Sequence, residues 1–122
     1  MEALASEGHV IFIFEFRSKP GQGDDLIVAF REYDYSDDNT MHKEPAQVKD
    51  GVLCRDPADP DHFYLIGEWK SAQAHKEALA RSRAAMAKSK PRFLSFIDGG
   101  LSQPTYTNVV MSTPAEYLSQ AG

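Results

Sequence analysis

The chain has one cysteine, Cys54, in 122 residues. A lone thiol closes no intrachain disulfide and builds no cysteine-based zinc site. Flanked by Leu53 and Arg55 in a stretch read as a strand, it is expected as a packed thiol, since reactivity needs exposure and a lowered pKa. No apolar run approaches the ~18 residues a membrane helix needs. The opening MEALASEG has no apolar signal core, so the expectation is a soluble, cytoplasmic protein without a membrane partner. Basic residues are the minority, 13 Lys and Arg against 18 Asp and Glu, for a net charge of −5. Nucleic acid is bound through clustered Lys and Arg. The densest basic stretch here, residues 81–92, is diluted by alanine and serine into a solvated helix face, so no nucleic-acid partner is expected. Histidines number only four and show no HxxxH spacing, which leaves no metal site to expect. There is no GxSxG and no phosphate loop, and Gly21-Gln22-Gly23 lacks the third glycine of a dinucleotide fingerprint.

What remains is an ordinary globular composition, 42% hydrophobic and 25% charged, in a length that suits one domain. Residues 1–8 are small and polar and are read as a flexible lead-in, residues 9–111 as the domain, and residues 112–122 as a tail in which Tyr117 and Leu118 are the packing candidates. Residues 9–17, HVIFIFEFR, predict a first strand that Lys19-Pro20-Gly21 ends. Val10 to Phe14 are apolar throughout, so both faces of that strand need cover. Residues 22–37 predict a helix with Asp24 and Asp25 at its positive end and with Leu26, Phe30 and Tyr33 on one side. After a loop through residues 41–45, residues 47–55 form a second strand. The turn Asp56-Pro57-Ala58-Asp59-Pro60-Asp61 is too short for a crossover and makes residues 63–70 its antiparallel partner. Ser71 is the predicted N-cap of a second helix, lined by Ala72, His75, Ala78 and Leu79. Helical pieces follow until Pro91 interrupts them, and residues 105–111 give a fourth strand.

The order β-α-β-β-α-β is the ferredoxin-like arrangement, an α+β fold. Right-handed crossovers put both helices on one face of the sheet. The other face, apolar in strands one and three, then asks for a second copy packed sheet to sheet as a homodimer.

Chemistry is expected where strand three meets the second helix. Alternation sends Phe63, Leu65, Gly67 and Trp69 to the helical side, with Phe12, Phe14 and Phe16 opposite. Together with Phe30 and Tyr33 they make an aromatic interior of the kind that holds apolar ligands or simply forms a core. His75 stands on the apolar side of its helix, where Leu or Ala would suffice. Its ordinary pKa of about 6.5 suits a proton acceptor, although a satisfied core histidine fits the pattern too. His9, His42 and His62 read as surface residues.

Four pieces taken in order give a family resemblance: the strand ending at Lys19-Pro20-Gly21, Glu44-Pro45, Arg55-Asp56-Pro57, and Glu68-Trp69-Lys70-Ser71 entering the second helix. With them, residues 9–111 resemble the antibiotic biosynthesis monooxygenase (ABM) family of dimeric α+β barrels. That resemblance implies a homodimer and a cofactor-independent monooxygenase acting with dioxygen on a phenolic, anthrone or quinol-like aromatic. In the anthrone-oxidising members a strand-three Trp and a Tyr six residues on line the pocket, positions that resemble Trp69 and His75. Their Asn four residues before the Trp is Leu65 here, and a second-helix His of many relatives is Ala78. The Asn, Trp and His of the haem-degrading branch match Phe14, Ala78 and Lys88, which speaks against haem. The site expected on this basis has His75 and Trp69 as catalytic groups, Phe14, Phe30, Tyr33, Leu65 and Arg83 around the substrate, and no cofactor. Because Leu65 and Ala78 are apolar, the alternative is a dimeric small-molecule-binding or stress-response protein of the same fold.

Overall fold

The computed structural model describes residues 4–117; Leu118, one of the two packing candidates in the tail, lies outside them. Strand β1, Val10–Ser18, is followed by helix α1, Gly23–Asp34, and after a short 3-10 turn at Thr40–Lys43 come β2, Gln47–Asp56, and β3, Asp59–Trp69. Helix α2, Ala72–Ser89, leads through a second 3-10 turn at Arg92–Phe96 to β4, Ile97–Asp98, and β5, Thr105–Asn108. The sheet runs β2-β3-β1, with β4 and β5 sharing the far edge of β1, and the pairings are antiparallel. This is the ferredoxin-like order, with both helices on one face of the sheet.

Several boundaries move for local reasons. The β2–β3 hairpin is tighter than the Pro/Asp-rich turn suggests: Asp56 pairs with Asp59, and the Asp56 carboxylate accepts from the Ala58 N–H at 2.8 Å. Helix α1 stops at Asp34, earlier than its polar tail implied, because the orphan carbonyls of its last turn find partners there. His42 Nε2–H donates to the Asp34 carbonyl at 2.8 Å. Helix α2 starts on the expected cap, the Ser71 hydroxyl accepting from Ala74 N–H at 3.1 Å. It runs unbroken to Ser89 and ends at Lys90 in the left-handed region, φ 50°, one residue before Pro91. The last strand is split in two. β4 pairs with Arg17 and Ser18 while β5 pairs with Val10 to Ile13, and Gly99 and Gly100, both at φ +76°, lie in the stretch between them.

Alternation sorts β1 and β3 as expected. Phe12, Phe14 and Phe16 pair across from Gly67, Leu65 and Phe63 and face the helices, with Leu26, Ala29 and Tyr33 of α1 and Ala78, Leu79 and Met86 of α2 in the same core. The opposite face carries Ile11, Ile13, Tyr64 and Ile66, none fully buried, and Val52, which is exposed. Residues 4–8 are not loose. Ala5 is buried, and Ser6 N–H and His9 Nδ1 both meet Glu68 Oε2, at 2.9 and 2.7 Å. Tyr117 is exposed. No helix among the described residues is long and apolar enough to cross a membrane.

Candidate functional site

A cavity of about 100 Å³ lies between the sheet and the helices. Strand β1 supplies Phe12, Phe14 and Phe16, β3 supplies Leu65 and Trp69, and α2 supplies His75, Leu79, Ser82 and Met86. Phe30 and Tyr33 of α1 and Phe93 complete an aromatic wall; Asp34, Asn39, Met41, His42 and Gln47 add polar atoms at its edge. Gly67 lets one of these rings lie close to β3: a Cβ there would stand 2.7 Å from Phe12 Cζ. Phe12 therefore lies down against the strand and its ring faces His75.

His75 is fully buried. Its imidazole stacks on Phe12 at 4.3 Å between centroids and 21° between planes, and meets Trp69 edge-on at 4.8 Å and 88°. Burial lowers its pKa from 6.5 to about 4, so the ring is neutral at physiological pH. Nδ1 is 2.7 Å from the Tyr106 hydroxyl, whereas Nε2 has no partner, and neither does the buried Trp69 Nε1. Burial raises the Tyr106 pKa, and the Arg83 charge acts against that rise. Burial likewise raises that of Tyr33, with Ser82 partly offsetting it through a hydrogen bond. No group of three or more His, Cys, Asp or Glu among the described residues gathers in a metal-holding arrangement.

A model of the antibiotic biosynthesis monooxygenase family matches residues 9–88. The chain belongs to that family. No curated protein matches it. Among solved structures, a candidate antibiotic biosynthesis monooxygenase from Chloroflexus aurantiacus J-10-fl is 26% identical, with 84% of this chain and 94% of that one covered at a TM-score of 0.55. A candidate from Bordetella bronchiseptica is 14% identical over 86% of this chain and 100% of that one, with a TM-score of 0.67. SnoaB, a cofactor-independent oxygenase from Streptomyces nogalater solved as a mutant, is 14% identical over 94% of this chain and 99% of that one, with a TM-score of 0.54. At 14% identity the last two speak for the ABM fold alone.

Within that ABM fold, six of the seven residues singled out from sequence line one cavity: Phe14, Phe30, Tyr33, Leu65, Trp69 and His75. Arg83 is not among them. Its guanidinium donates to the carbonyls of Leu101 and Ser102, at 3.4 and 2.8 Å, and so ties down the stretch before β5. A long side chain reaches where its acceptors are, which helical periodicity does not specify. Tyr106 was missed; its one signal is that it is the only aromatic in β5. His42, read as a surface residue, lines the cavity edge. It lies beside Asn39, which caps the 3-10 turn through Met41 N–H at 3.0 Å and donates to the Asp34 carboxylate at 3.2 Å. A second groove of about 190 Å³ lies outside the first and shares Phe30, Asp34 and Gly51 with it; Arg31, Tyr35 and Arg55 are among its other walls.

Proposed function

We propose that this protein is a cofactor-independent monooxygenase that oxidises a phenolic or quinol-like aromatic with dioxygen. The observation that carries the reading is the aromatic-walled cavity between sheet and helices, in which one neutral histidine and one indole each keep an unpartnered ring nitrogen. The ring of the substrate would lie among Phe12, Phe14 and Trp69, with its oxygen at His75 and Trp69. In such a reaction a ring C–H becomes C=O; one oxygen atom enters the product and the other leaves as water, all reducing equivalents coming from the substrate. An apolar site favours this by removing water from an electron-rich ring and its developing charge.

Size narrows the substrate. An apolar cavity of ~150 Å³ takes up benzene; at about 100 Å³ this one is smaller, so even a single substituted ring requires the walls to give, and a three-ring anthrone requires far more. The low basicity of His75 bears on its role. Lifting a proton from a phenol of pKa about 10 onto an imidazole of pKa about 4 is uphill by about 8 kcal/mol. Full proton transfer to His75 before oxygen attack is therefore costly.

The half-apolar open face of Ile11, Ile13, Tyr64 and Ile66 supports a homodimer packed sheet to sheet, since a stable interface needs about 800 Å² per partner and this is the broad face of the sheet. The test of activity is oxygen uptake with methylhydroquinone and no added cofactor, using ¹⁸O₂. Label in a new product carbonyl supports the reading. Ligand binding without uptake supports the second reading, a binding protein of the same fold, which the apolar Leu65 and Ala78 and the small cavity favour.

A further inference from the structure

We propose that His75 stands as its Nε2–H tautomer and, with the Trp69 indole N–H, forms a two-donor site for a ring-borne oxygen that accepts: a ketone, quinone or phenolate oxygen. The inference rests on reading the cavity as the substrate site, and it assigns His75 a different task from proton acceptor.

The argument begins at Tyr106. Its hydroxyl and His75 Nδ1 lie 2.7 Å apart, so one of them donates. A neutral imidazole has one N–H and one bare nitrogen, while a phenol can play either part. A phenol O–H is a much stronger acid than a neutral imidazole N–H, and a bare imidazole nitrogen is a much stronger base than a phenol oxygen. The strong arrangement is therefore O–H to Nδ1. The charges around Tyr106 push the same way. Arg83 acts on the phenol from α2, opposing the effect of burial, and the Lys76 ammonium sits 5.3 Å over the ring. Positive charge makes the phenol a better donor and a poorer acceptor. With Nδ1 accepting, the ring proton is on Nε2.

Two donors then stand together. The His75 and Trp69 rings meet at 4.8 Å, nearly perpendicular, and both line the cavity. His75 Nε2 and Trp69 Nε1 are buried and unpartnered. Indole nitrogen only donates, and buried donors without acceptors are uncommon enough to ask for an explanation. Gln47 lies opposite Trp69 across the β2–β3 ladder without closing a bond to it, and Phe12 and Phe14 offer no acceptor. A ligand oxygen bearing lone pairs would satisfy both N–H groups at once. A phenol converting to a ketone gains negative charge on that same oxygen, and preset donors stabilise such charge as it develops. Tyr106 is then a positioning residue that fixes the tautomer from outside the cavity.

The test uses ¹⁵N-histidine-labelled protein at neutral pH and two ligands of one shape, acetophenone and α-methylstyrene, which differ as C=O against C=CH₂. The expected spectrum has His75 protonated at Nε2. Acetophenone is expected to bind about tenfold tighter than its hydrocarbon twin, the difference one good hydrogen bond makes, and to shift the His75 Nε2–H and Trp69 N–H resonances. In Tyr106→Phe the histidine tautomers mix and the preference for the ketone shrinks, while affinity for α-methylstyrene stays; a merely structural role for Tyr106 would not separate the two ligands. Protonation of wild-type His75 at Nδ1, equal affinities, or failure of both ligands to bind would each overturn the proposal. None of these readouts uses oxygen. A protein that passes them yet consumes no oxygen leaves the two-donor site standing and removes the oxygenase; a protein that turns over quinols but fails them does the reverse.

Discussion

Acid should destabilise this protein through His75. The perturbation is a drop from pH 7 to pH 4.5, applied to the wild type and to His75→Asn, whose short amide can still meet the Tyr106 hydroxyl. Burial holds the folded pKa at about 4 against 6.5 for the free side chain. Between those values the unfolded chain takes up a proton at residue 75 and the folded chain does not, so stability falls as pH falls through that window. At about 1.4 kcal/mol per pH unit the full gap is worth about 3 kcal/mol, a sizeable share of the 5–15 kcal/mol typical of a domain. Urea unfolding at pH 7, 6, 5 and 4.5 reads it directly. The variant loses absolute stability from the cavity it opens, but its stability should decline less steeply with acid, by most of that amount. The other three histidines each sit beside a carboxylate and are present in both proteins, as is Glu68. The difference between the two slopes therefore belongs to His75. Equal slopes would refute the reasoning, because His75 would then be reached by water or by a proton from a neighbour.

Gly67→Ala forces Phe12 out of its place against β3 and should cost about 1–3 kcal/mol in urea unfolding, with a change in ligand affinity because the His75 stack is disturbed. Ile13→Asp should turn a sedimenting dimer into a monomer; a wild type that sediments as a monomer at every concentration would remove the sheet-to-sheet assembly. Arg83→Ala removes two carbonyl contacts and should cost about 1–2 kcal/mol, with faster hydrogen exchange confined to residues 99–106.

The strand-to-helix junction was legible because two periodicities meet there. Alternation through Phe63, Leu65, Gly67 and Trp69 fixed the face of β3, and Ser71 followed by His75, Ala78 and Leu79 fixed the face of α2. Those two rules alone bring Trp69 and His75 together. What they could not supply was the atom-level pairing. Tyr106 reaches His75 from a four-residue strand 31 positions away, and no local pattern announces that contact. Arg83 shows the same limit in the other direction: it follows the cavity-lining Ser82 on α2, but its guanidinium goes to the backbone carbonyls of residues 101–102 and not to the cavity. The lead-in at residues 4–8 looked unstructured because its own side chains are small. Its order comes from Glu68, a charged residue on the far face of β3, whose partner could not be read from spacing.

One shared wall has a further consequence. Phe30, with Asp34 and Gly51, borders both the inner cavity and the outer groove, and its ring leans on Phe93 at 5.2 Å and on Tyr33 at 6.4 Å. A single aromatic ring, half-buried, thus stands with Asp34 and Gly51 between the site and the neighbouring groove. The two spaces have this ring in common, so a substitution at Phe30 reshapes both at once.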